Sequence, residues 1–214
     1  MNTNVTRQSV EVFLILIPGL VVAMALHELA HGLVANRLGD PTARVLGRLS
    51  LNPIRHLDPL GTAMFAITYF GAGWMFGWAK PVPVDMRNFD RPKRDMALVA
   101  LAGPLTNFAI ALVLVAVALH APPPPGVLSD VLDRAIQVNI VLGIFNLVPV
   151  PPLDGSRVLG AFMDDHTYRS WLGLDRYAML FFVAIFFVLQ GTTTPILSSA
   201  TNHVLDAMIR VVGG

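Results

Sequence analysis

The sequence predicts an all-α polytopic membrane protein, with about four transmembrane helices plus a re-entrant segment carrying short β-strands. Three observations predict it. The 214 residues are 54% hydrophobic and only 14% charged, about half the charged share of a soluble domain. Apolar residues gather into stretches close to the ~20 residues that a bilayer crossing needs. Nine of the 15 Lys and Arg fall within 37–94 (Arg37, Arg44, Arg48, Arg55, Lys80, Arg87, Arg91, Lys93 and Arg94), and the positive-inside rule puts such a loop in the cytoplasm.

The first span covers roughly 11–36. Arg7, the apolar run after it and "AMA" at 23–25 mimic a signal peptide, but the apolar pattern resumes beyond His31, which favours a retained helix. In the basic segment, "RVLGRLSL" (43–51) and "AKPVPVDM" (about 80–86) read as short edge strands, with β-branched residues and prolines. Such strands could pair with an unwound peptide or only cap the bundle. Between them, 60–79 is apolar with four glycines, so it either spans or dips in and returns. The second span is 95–119. The proline run at 122–125 is a stiff outer connector within 120–133. The third span is 135–159 and the fourth 172–190, where Arg176 can snorkel. The end, "TNHVLDAMIRVV", has helical periodicity with one polar side and suits the interface.

Within the first span stands "HELAH", residues 27–31. On a helix His27 and His31 lie about 40° apart and one turn along, so both imidazoles can reach one metal ion. Glu28 sits about 100° from His27, placed to touch a metal-bound water without being a ligand. Zinc fits imidazole nitrogen, takes a third protein ligand and keeps a position for water, whose pKa falls to about 7. A chance match is disfavoured because each ionisable group in an apolar helix costs roughly 2.5–3.5 kcal/mol.

The third ligand has few candidates. Asp154 in "FNLVPVPPLDGSR" stands out, because Pro149, Pro151 and Pro152 break the helix, and irregular backbone at membrane depth lines a cavity or packs on protein. In "AGPLTN", Asn107 is either interhelical glue or a donor aimed at a reacting carbonyl, and Asn146 has the same two readings. His27, His31, Asn107 and Asp154 all fall toward the cytoplasmic side only if 37–94 makes no net crossing, so 60–79 should be re-entrant or peripheral.

These motifs resemble those of the site-2 proteases, a family of intramembrane zinc metalloproteases. "HELAH" is similar to the family's H-E-x-x-H, "AGPLTN" to its A-G-P-x-x-N and "NLVPVPPLDG" to its N-x-x-P-x-P-x-L-D-G. "NPIRHLDPLGT" and "GWAKPVPV" resemble the small bacterial branch. The resemblance implies one Zn2+ held by His27, His31 and Asp154, with Glu28 as general base and Asn107 and Asn146 helping to hold substrate or the oxyanion. It implies a single core domain over 1–214, without an inserted PDZ or CBS domain, in the cell membrane with its active site toward the cytoplasm. The implied partners are the lipid bilayer and transmembrane protein substrates, cleaved in or near their membrane segments. Ser156 stands where many members have a second glycine.

Other classes fare worse. A net charge of +1 and the lack of any basic run interleaved with aromatics exclude a nucleic-acid partner, and the absence of cysteine excludes thiolate metal sites. An inactive metal-stabilised scaffold would have no use for Glu28. A metal transporter would need further ligands along a path. His120, His166 and His203 read as exposed or interfacial, and His56 as a loop-fixing histidine.

Overall fold

The computed structural model describes residues 6–72, 77–177, 180 and 193–213. Helix α1 (Thr6–Arg37) carries Pro18 in its interior without ending there. It stops where Gly39 takes φ 108°, the left-handed conformation glycine adopts freely at helix ends. The chain then forms the single turn α2 (Thr42–Val45), a 3-10 turn (Pro53–His56) and α3 (Pro59–Ala72). After a second 3-10 turn (Met86–Asn88) come α4 (Pro92–His120), α5 (Val127–Asn146), α6 (Asp154–Gly160), α7 (Asp165–Leu172), a third 3-10 turn (Gly173–Tyr177) and α8 (Thr193–Gly213).

The predicted helical character stands, and the predicted strands do not. Among the described residues the only extended pairing is one antiparallel bridge between Leu57 and Ala79. The 43–51 stretch instead opens with α2, because the Asp40 carboxylate accepts the Thr42 N–H and starts a helical turn. In 80–86, Pro81 and Pro83 have no N–H to give a ladder.

Two described helices are long and apolar enough to cross a membrane, Phe13–Arg37 and Pro92–His120. They match the first two predicted spans. The stretch predicted as the third, 135–159, is not one helix. Helix α5 begins at Val127, where the Ser129 hydroxyl exchanges hydrogen bonds with Gly126, and ends at Asn146, before the prolines; it is not among the two helices above. The connector is therefore shorter than 120–133, and α5 and α6 are separate helices. The predicted fourth span, 172–190, lies mostly outside the described residues. Its described start is the end of α7 and a 3-10 turn, in which the Arg176 guanidinium lies over the Tyr177 ring.

Helix α3 has 14 residues, about 21 Å, short of the ~30 Å hydrocarbon core. Its two ends meet. Beyond the Leu57–Ala79 bridge, the Lys80 N–H donates to the His56 carbonyl at 2.8 Å. A Cβ on Gly61 would stand 2.2 Å from the Trp78 carbonyl oxygen, so a bare glycine lets the outgoing and returning chain touch. His56 is buried, with Nε2 2.8 Å from the Ser50 carbonyl. It fixes this loop, as its sequence context implies. His120, His166 and His203 are exposed.

Helix α4 is central, packed against α1, α5, α6 and α8. Ala111 and Val115 of α4 interlock with Ile136 and Ile140 of α5, and Val204, Leu205 and Met208 of α8 close that cluster. At the other end of α4, Val99 joins Ala35 of α1 and Phe89 of the incoming loop. Small residues set the spacing: a Cβ at Gly143 would fall 2.7 Å from the Phe108 ring. The first half of α4 is thereby fixed against the second half of α1.

Candidate metal centre

His27 and His31 leave α1 on the same face, their rings 4.6 Å apart and nearly perpendicular. Both are buried. Asp154 comes to them from the first turn of α6. Its Oδ2 lies 3.1 Å from His27 Nε2 and 3.3 Å from His31 Nε2. The tight chain path after α5 delivers it. A Cβ on Gly155 would sit 2.2 Å from the Leu147 carbonyl oxygen, so only glycine lets α6 start this close to the end of α5. Ser156 beside it is fully buried, and Trp171 Nε1 donates to its carbonyl at 2.9 Å.

The far side of each imidazole is also held. His31 Nδ1 donates to the Val99 carbonyl at 2.7 Å, and His27 Nδ1 is 2.6 Å from Asn107 Oδ1. Both partners are acceptors, so each Nδ1 carries a proton and each Nε2 is the nitrogen that faces Asp154. Outer partners of this kind orient metal-binding histidines. The three ligand atoms lie within 4.8 Å of one another. Apart from the two Nε2 atoms, no donor reaches the buried Asp154 Oδ2, an expensive state for a carboxylate with no other partner. Two imidazole nitrogens and one carboxylate oxygen form a donor set suited to a divalent cation such as zinc.

Gly103 makes room for the two imidazoles. A Cβ there would fall 2.5 Å from His27 Nε2 and 2.5 Å from His31 Nε2. Gly103→Ala should therefore retain helix content but lose metal affinity by about 10-fold or more, on the scale of disturbed outer partners. Competition with a coloured chelator measures this, and an unchanged affinity would mean that the imidazoles do not need the space beside Gly103.

Glu28 is the fourth polar group. Its Oε2 accepts the Val82 N–H at 2.7 Å. Pro81 and Pro83 flank that donor and have none of their own. The loop carrying it is pinned at both ends. Arg48 Nη2 donates to the carbonyls of Lys80 at 2.7 Å and Pro81 at 3.3 Å. The fully buried Asp40 accepts from the Asp85 N–H at 2.8 Å and the Asn88 amide at 2.7 Å. Burial alone would raise the Asp40 carboxyl, but the Thr42 hydroxyl, the Asp85 N–H and the Asn88 amide outweigh it and hold the group below the usual carboxylate range.

The chain is 37% identical over 196 residues to the provisionally named zinc metalloprotease YwhC of Bacillus subtilis, a match covering 87% of each protein. The family model for peptidase family M50 matches residues 124–190. The chain belongs to peptidase family M50. By that membership it is a metalloendopeptidase of the site-2 protease type, and with its two long apolar helices it is a membrane protein. Rip2 of Mycobacterium tuberculosis, also provisionally named a zinc metalloprotease, is 31% identical over 179 residues, spanning 82% of this chain and 67% of Rip2. No solved structure matches the chain.

In this M50 peptidase the structure brings His27, His31 and Asp154 together, sets Glu28 beside them on α1, and puts Asn107 behind His27. Asn107 is 0% exposed with both ends engaged, since its Nδ2 donates to Asn139 Oδ1 at 3.0 Å and reaches the Ala23 carbonyl at 3.4 Å. Of the two readings its sequence context leaves open, these contacts are those of the interhelical one: the amide faces a histidine of α1 and an asparagine of α5. Asn146 donates to the Leu142 carbonyl one turn back in α5 at 3.0 Å, and does not join the ligand cluster. Asn139 went unremarked in the sequence, although it interrupts "AIQVNIVLGIF" as Asn107 interrupts its own span. Arg48 was counted only as a topological charge. Nothing local to the sequence marks the Val82 N–H or the Val99 carbonyl.

Proposed function

We propose that this chain is a zinc-dependent intramembrane endopeptidase that hydrolyses peptide bonds in or near the transmembrane segments of membrane proteins. The observation that carries the proposal is the convergence of His27, His31 and Asp154 around a buried carboxylate oxygen, with Glu28 one residue away on a membrane-length helix. His27, His31 and Asp154 hold one Zn2+, which supplies Lewis acidity in a site screened from bulk water. Glu28 takes a proton from the attacking water and returns it to the leaving amine. The Val82 N–H keeps the other carboxylate contacts from wandering. Asn107 orients His27, and Asn146, half-buried at the end of α5, is the amide left to hold substrate.

The chain is proposed to cross the cell membrane several times with both termini outside and the catalytic side chains toward the cytoplasm. The basic segment 37–94 supports this orientation. The meeting of Leu57 with Ala79 supports a re-entrant 58–78 that makes no net crossing. The metal ligands from α1 and α6 then approach from one leaflet.

The test is cleavage of a transmembrane reporter by the purified chain in lipid nanodiscs. Activity should fall to background on chelation and return on adding about one equivalent of zinc. Cleavage that persists in the metal-free protein would sink the proposal. A single cysteine placed at Asn88 of this cysteine-free chain should label from the cytoplasmic side in intact cells, and labelling only from outside would reverse the orientation.

A further inference from the structure

Asn139 of α5 is buried, 3% exposed, and makes two hydrogen bonds. Its Nδ2 donates to the Ala135 carbonyl at 2.8 Å, and its Oδ1 accepts from Asn107 Nδ2 at 3.0 Å. Asn107 Oδ1 in turn faces His27 Nδ1 at 2.6 Å. The sense of this relay is dictated from its far end. A backbone carbonyl can only accept, so the Asn139 edge facing Ala135 must be its NH2. The opposite edge must then be its oxygen. Asn107 has to present its NH2 to that oxygen, which leaves its own oxygen for His27. An oxygen facing Nδ1 requires Nδ1 to bear a proton, so in the neutral imidazole Nε2 is the nitrogen with the lone pair.

We propose that Asn139 is a positioning residue that fixes the metal-binding tautomer of His27 through Asn107. The proposal rests on the reading of His27 as a metal ligand. His31 needs no such device, because its Nδ1 meets a backbone carbonyl directly. His27 Nδ1 instead meets a side-chain amide, itself held by a second one. Without Asn139, Asn107 is held in its orientation by the 3.4 Å approach to the Ala23 carbonyl alone, near the limit of a hydrogen bond. An amide reversed at Asn107 would offer NH2 to Nδ1, favour the Nε2–H tautomer, and turn a proton toward the ion's position. In an apolar interior no water is at hand to correct it.

The test is zinc affinity, measured on detergent-purified protein by competition with a chromophoric chelator. Asn139→Leu, which keeps the volume, should weaken zinc by about 10- to 100-fold, the range for lost outer partners. Asn139→Ala carries the same expectation and covers the case in which leucine prevents folding. Asn139→Asp should stay within a few-fold of the parent, because a neutral carboxylic acid donates to Ala135 and accepts from Asn107 as the amide does. Asn107→Leu should weaken zinc at least as much as Asn139→Leu, and the double variant no further than Asn107→Leu alone, since one relay is lost once. Parent-like affinity in a folded Asn139→Leu or Asn139→Ala protein would overturn the proposal, and so would losses that add in the double variant. Failure of the metal reading would look different: the parent chain itself would not retain zinc.

Discussion

Glu28→Gln should purify with its full complement of zinc and cleave a transmembrane reporter about 10²–10⁴-fold more slowly than the parent, the range for loss of a general base. The substitution separates two duties of one side chain. Glutamine keeps a carbonyl oxygen, so the Val82 N–H still has an acceptor and the loop pinned by Arg48 and Asp40 stays where it is. The ligand atoms of His27, His31 and Asp154 are untouched. Only the capacity to accept a proton is gone, because an amide is not a base near neutral pH. Metal content is measured by elemental analysis and turnover by reporter cleavage under single-turnover conditions. Near-parent turnover would remove Glu28 from the chemistry. Lost metal would mean that the residue is a ligand.

Asp154→Ala should have the opposite signature. Two imidazoles on one helix remain, but the third ligand and the only negative charge within the cluster disappear. Zinc affinity should fall by more than the roughly 10- to 100-fold that outer partners cost, and activity should be lost because no metal is retained. Asp154→Asn tests the charge alone, since it keeps an oxygen at nearly the same place. Its affinity should lie between those of the parent and the alanine variant. Full zinc occupancy at unaltered affinity in Asp154→Ala would exclude Asp154 as a ligand.

What the sequence made legible was local. The lengths of α1 and α4 follow from unbroken apolar runs, and "HELAH" acquires its geometry from helical periodicity alone. Asp154 could be picked out because so few ionisable residues occupy apolar stretches and because the prolines before it forbid a helix. The failures came where a particular hydrogen-bond partner, near or remote in sequence, decides the outcome. Residues 43–51 have strand composition, but the Asp40 carboxylate caps a helical turn there. Residues 80–86 look like an edge strand, but their amides go to a carboxylate, a carbonyl and Asp40, and two prolines have none. Asn107 was open to two readings until its neighbours were known. One of them, Asn139, lies 32 positions away, and nothing in the local pattern of α4 points to it. The predicted third span missed the start of α5 because a helix start is set by a single glycine and a serine hydroxyl, which hydropathy does not register.

The bridge between Leu57 and Ala79 has a practical consequence. Because the chain leaves and returns at one point, the residues in between form a closed side loop, which rests on α1 where Tyr69 and Phe70 meet Phe13. Extra residues added there enlarge a loop whose ends are already tied, and each doubling of a flexible loop adds only about 0.6 kcal/mol of closure entropy. The same number inserted between Val82 and Asn107 would be transmitted to Glu28 and to both histidines. A short insertion within this side loop should therefore leave the cluster of His27, His31 and Asp154 undisturbed.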